Sequence, residues 1–110
     1  MSSTGLDPLS VSLAAAAHPV RRGLLALVQG EPARVTDLAA RFDISLPAIS
    51  RHLKVLEAAR MVERRVDGRD HFIAARADGL EPMADWVARQ SAHWQARLDS
   101  LKSLMETRDG

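Results

Sequence analysis

Between Ser45 and Met61 the chain reads SLPAISRHLKVLEAARM, and its polar side chains are mostly hydrogen-bond donors. Ser45, Ser50, Arg51 and Lys54 carry no acid among them before Glu57. At 100° per residue, Ile49, Leu53 and Leu56 fall within about 60° of arc, while Pro47, Ser50, Arg51, Lys54 and Ala58 fall opposite. The first edge is suited to a core and the second to acceptors outside the molecule. Arginine meets guanine O6 and N7 with two bonds, and serine and lysine reach base edges or phosphate oxygens. Downstream, Arg64, Arg65 and Arg69 surround an Asp-Gly turn, where guanidinium groups without an anion would only repel one another.

Other chemistries fit the residues poorly. Ser50 and His52 stand two apart and face different directions on a helix, so they make no nucleophile and base. Neither a glycine-rich phosphate loop nor a pair of carboxylates at strand ends is present, and no enzyme is expected. With no cysteine, disulfides and thiolate metal sites are excluded and a reducing cytoplasm is the natural setting. Asp85 and His93 share one helix but lie eight residues apart, too sparse a set for zinc or nickel, so neither metal nor cofactor is expected. No apolar run is long enough to span a membrane.

The elements that must position these side chains follow from periodicity and punctuation. A chain of 110 residues suits one domain with a modest core, read here as residues 9–106 between disordered tails at 1–8 and 107–110. A short helix is predicted from Pro8 or Leu9 through Ala17, and a second from Pro19 to Gly30 with Val20, Leu24, Leu27 and Val28 on one face. Thr36 is expected to cap a third helix ending at Phe42, and Ser45 to cap a fourth running to about Ala59. The run VERRV-DG-RDHFIA predicts a hairpin with Asp67 and Gly68 as its central turn residues. A last helix is expected from Leu80 to about Met105.

Although the formal net charge is only +1, the basic residues between Arg51 and Arg76 outnumber the acids by three, and from Glu81 onward the acids lead. The cations are concentrated on the fourth helix and the hairpin. A closely joined helix pair followed by a two-stranded hairpin is the winged helix-turn-helix arrangement, so the fold class is mainly α with a small β-hairpin. Along the last helix, Met83, Val87, Gln90, Trp94, Leu98, Leu101 and Met105 recur at spacings of three and four. That stripe is longer than so small a core can cover, and a two-fold partner is its expected use.

Residues 13–105 resemble the ArsR/SmtB family of bacterial winged-helix transcription regulators. The likeness rests on "HPVRRGLLAL", "LAARFDISLPAISRHLKVL" and "RMVERRVDGRDHF", which follow the family's segments L-x-D-P-x-R-x-x-I-L, L-A-x-x-x-x-I-S-x-x-x-v-S-x-H-L-x-x-L and G-L-V-x-x-x-r-x-G-R-x-x-x-Y. The resemblance implies a homodimer joined through its first and last helices, which adds Leu9 and Leu13 to the interface. It also implies a double-stranded, palindromic operator, read by the Ser45–Ala59 helix in the major groove, and a repressor's role. The implied DNA contacts are Thr36, Ser45, Leu46, Pro47, Ser50, Arg51, His52 and Lys54, with Arg64, Arg65 and Arg69 on the backbone. Three departures stand out: His18 replaces the family's usual Asp, Arg60-Met61 its Gly-Leu, and His71-Phe72 its aromatic pair. Thr36, Asp37, Ala39 and Ala40 occupy the helix that carries a cysteine pair in the family's arsenic and cadmium sensors. Two alternatives stay open: a DNA-binding regulator whose effector, a metal among the candidates, is sensed by a separate partner protein, and a protein-interaction module with vestigial DNA binding.

Overall fold

The computed structural model describes residues 7–109. In chain order it contains α1 (Pro8–Ala16), α2 (Pro19–Val28), β1 (Ala33–Arg34), α3 (Val35–Ala39), α4 (Leu46–Ala58), β2 (Val62–Asp67), β3 (Asp70–Ala75) and α5 (Glu81–Asp109). Leu24, Val28, Leu38, Ile49, Leu53, Leu56, Met61, Val62 and Ile73 are buried together, so α2, α3, α4 and the sheet share one core. The apolar edge read from 49, 53 and 56 is the edge that α4 buries.

Caps fix the helix starts. Asp7 accepts from the Ser10 N–H at 2.7 Å, which holds its carboxyl below the usual carboxylate range. His18, the family's Asp position, does the same work for α2 by accepting from the Val20 N–H at 3.1 Å. Ser45 caps α4 through the Ala48 N–H at 3.3 Å, with Pro47 in the first turn.

Several expectations need correction. Thr36 is the second residue of α3 and not its cap; the cap position belongs to Arg34, whose side chain makes no capping bond. The helix also ends at Ala39, and the chain then tightens into turns through Arg41 N–H to Leu38 O and Phe42 N–H to Ala39 O bonds. In the hairpin, Asp67 pairs with Asp70, so the central turn residues are Gly68 and Arg69. Of these two, Gly68 has positive φ and Arg69 does not, the pattern of a two-residue loop with glycine in its first central position. The sheet has three strands in the order β1-β3-β2, because Ala33 and Arg34 pair with Ile73 and Phe72. Finally, α5 starts at Glu81 and continues through 107–109, positions assigned to a tail from the sequence. Of the predicted N-terminal tail, residues 1–6 lie outside the described residues, and Pro8 is the first residue of α1.

The junction between α4 and the sheet explains the Arg60 departure. Arg60 sits at φ +61, and Arg60 N–H to Glu57 O and Met61 N–H to Leu56 O bonds close α4 in a Schellman turn. That position favours glycine, which the family supplies. Here the Arg60 and Arg76 guanidiniums converge on Asp78 at 2.9 to 3.0 Å and hold its carboxyl below the usual range, Arg60 contributing most. Backbone bonds from Arg76 N–H to Met61 O (2.8 Å) and Gly79 N–H to Arg60 O (2.9 Å), with the buried Ser12 hydroxyl donating to Gly79 O, tie α1, α4 and the start of α5 together.

Beyond this junction α5 leaves the body of the protein. Met83 still packs on the core, but Val87, Trp94, Leu98, Leu101 and Met105 are exposed, Trp94 by 60% and Met105 by 66%. Its contacts within the chain are mainly with α1. No single helix among the described residues is long and apolar enough to cross a membrane.

Candidate nucleic-acid interface

The exposed edge of α4 carries Ser45, Leu46, Pro47, Arg51 and Lys54, with Ser50 half-buried beside them. The turn before α4 comes off α3, so both helices are fixed by the core residues Leu38, Ile49 and Leu53. Val55, 40% exposed, extends the edge and escaped the sequence reading, which looked for polar partners.

His52 lies apart from that edge. Its ring is 4.4 Å from the His18 ring, centroid to centroid, and its Nδ1 is 3.1 Å from Arg21 Nη1. A guanidinium only donates, so His52 Nδ1 accepts and the ring proton is assigned to Nε2. Arg21 also donates to Ala15 O (2.7 Å) and Ala14 O (3.1 Å), capping the end of α1. His52 therefore joins α4 to the α1–α2 corner.

Burial, then charge interactions with His18, Arg21 and Arg51, push the His52 pKa below its ordinary 6.5. Folding therefore favours the neutral ring: its contribution to stability is complete above pH 6.5 and is lost as pH falls through the lower folded value. Urea midpoints are expected to drop more between pH 7.5 and 5 in the parent than in His52→Gln. Equal drops would remove His52 from the account.

The wing's three arginines are placed differently from one another. Arg64 faces α4 and makes a two-pronged pair with Glu57 at 3.2 Å for both bonds, with His71 Nδ1 3.4 Å away. Its side chain, about three-quarters buried, makes it a strut between wing and helix. Arg65 is exposed beside Glu63 at 3.4 Å, and Arg69 stands exposed at the turn. Between the wing, α3 and α4 lies an open cleft of about 280 Å³, lined among others by Arg34, Thr36, Leu46, Ser50, Arg64 and Arg69. The sequence reading missed Arg34. Its strand is two residues long and shows no alternation, so nothing local marked it as part of the sheet.

Candidate metal ligands do not converge. No group of three or more His, Cys, Asp or Glu side chains able to hold a metal occurs among the described residues.

A helix pair with one cationic edge free, backed by a basic three-stranded wing, defines a winged helix-turn-helix DNA-binding domain. Comparison with known proteins agrees. A family model described as a helix-turn-helix domain matches residues 16–65. The transcriptional repressor SdpR of Bacillus subtilis (strain 168) is 30% identical over 73 residues, spanning 66% of this chain and 81% of SdpR. A crystal structure of an ArsR family transcriptional regulator superposes with a TM-score of 0.74 at 30% identity, covering 80% of this chain and 91% of that one. An ArsR-like transcriptional regulator from Rhodococcus sp. RHA1 gives 0.77 at 28% identity, covering 97% and 98%. The chain belongs to the ArsR family of winged helix-turn-helix transcriptional regulators.

Proposed function

We propose that the protein is a homodimeric repressor that binds a palindromic operator in the cytoplasm. The observation that carries this reading is the free edge of α4, where Ser45, Leu46, Pro47, Ser50, Arg51 and Lys54 gather without an acid while the opposite edge is fully buried. Arg51 is the candidate for bidentate contact with guanine, and the exposed Leu46 is suited to a thymine methyl. Thr36, Arg65 and Arg69 are assigned to the phosphate backbone, and Arg64 holds the wing in place through Glu57. His52 acts indirectly, by holding α4 against α2.

Homodimerisation through α5 and α1 is supported by the stripe on α5. Val87, Gln90, Trp94, Leu98 and Leu101 are exposed on a helix roughly 44 Å long at 1.5 Å per residue, and Leu13 is exposed on the neighbouring α1. Leu9 is half-buried and Met83 packs largely on the core, so both lie at the inner margin of that face. A two-fold mate would cover the stripe and present two α4 helices to successive major grooves. Inducer recognition remains assigned to a site other than a thiolate centre, on this chain or on a separate sensing protein.

The test is a titration against an operator selected from a random-sequence pool. Arg51→Ala is expected to cost about 1–3 kcal/mol and to relax sequence preference, whereas Arg69→Ala weakens all sequences alike. Parental affinity in both variants would refute the assignment.

A further inference from the structure

We propose that the cleft between α3, α4 and the wing is a seat for one backbone phosphate, with Arg34 as its principal ligand, and that Asp70 occupies Arg34 when no nucleic acid is bound. The inference rests on the DNA-binding reading and adds to it a residue and an internal competitor. Three guanidiniums line the cleft, of about 280 Å³, with Thr36 and Ser50 beside them. Two of the three cations already face carboxylates, but unequally. The Arg64–Glu57 pair is bidentate at 3.2 Å and about three-quarters buried. The Arg34–Asp70 approach is 3.6 Å, longer than a charge-assisted hydrogen bond, and both side chains are half-exposed. Such a pair is weak in water, and its carboxylate is readily exchanged for a singly charged backbone phosphate.

The sheet keeps Arg34 ready for that exchange. Arg34 is in register with Phe72, and its guanidinium carbon lies 5.7 Å from the ring centroid, a contact that does not involve Asp70. Asp70 lines the same cleft and its carboxylate faces Arg34, so a phosphate that binds Arg34 takes the place of that carboxylate. Asp70 thereby lowers affinity for any duplex and leaves discrimination to the exposed edge of α4.

The experiment measures binding of the full chain to a fluorescein-labelled random-sequence duplex over a range of salt concentrations. Arg34→Ala is expected to lower affinity about tenfold and to reduce the slope of log K against log salt by about one, while Arg34→Lys keeps the slope. Asp70→Asn is expected to raise affinity severalfold, and the gain should vanish when combined with Arg34→Ala. Asp67→Asn makes the same change of net charge, so its effect should be independent of Arg34. Thermal unfolding followed by circular dichroism verifies that each variant is folded. A parental slope in a folded Arg34→Ala, or an equal Asp70→Asn gain with and without Arg34, overturns the subsite while leaving the DNA-binding reading standing. If the parent itself shows no salt-dependent binding, both fall.

Discussion

Gly79→Ala is expected to destabilise the protein by about 3 kcal/mol, the upper part of the range for overpacking, and to lower Tm by more than roughly 10 °C. A β-carbon at this position would lie 2.3 Å from Ala59 O and 2.4 Å from both Arg60 C and Arg60 O. These are backbone atoms in the turn that ends α4, and a rotamer change cannot relieve the clash. The φ at 79 lies outside the left-handed region, so the cost is one of space and not of conformation. Opening the gap would break the 2.9 Å bond from Gly79 N–H to Arg60 O and disturb the Ser12 bond to Gly79 O. The matched control is Gly30→Ala, where an added β-carbon meets nothing within 4 Å; its effect should stay within about 0.5 kcal/mol. Thermal melts of the three proteins check both statements. The junction matters beyond stability because it fixes where α5 begins relative to α4, and so would set the separation of two reading edges in the proposed dimer.

Replacing Trp94 and Leu98 together by glutamate is expected to yield a folded monomer whose affinity for a palindromic site falls by about 10² or more, since the second half-site contact is no longer intramolecular. Trp94 is 60% and Leu98 52% exposed, so the chain's own core loses little. Across a two-fold axis, however, two glutamates from each copy would meet like charges on an apolar surface. Sedimentation measures the mass and the titration measures the affinity. A dimer with parental affinity would exclude this stripe as the interface.

How far the sequence revealed this arrangement depended on how local each signal was. The α4 edges were legible because a 13-residue helix repeats its apolar side three times, and burial of Ile49, Leu53 and Leu56 matches that repeat. The family resemblance gave the topology as well, and its Gly-to-Arg departure marked the residue that carries positive φ at 60. The extra strand β1 was not legible: two residues have no period, and their partners Ile73 and Phe72 are distant in the chain. The turn was misplaced by one residue because Asp-Gly and Gly-Arg both supply a glycine, and only the pairing of Asp67 with Asp70 chooses between them. Side-chain company was the least visible property. Nothing local shows that Arg64 faces Glu57, that His52 turns toward His18 and Arg21, or that Arg34 joins the cleft.

The most direct test of the central claim, that the α4 edge and the wing form a DNA-reading face, is the salt dependence of operator binding. Neutralising several phosphates releases their counterions, so log K for the selected operator should fall linearly with log salt, at a slope of about −0.9 per phosphate contacted. A steep straight line is the predicted result, and a flat response, with affinity unmoved as salt rises, would contradict it.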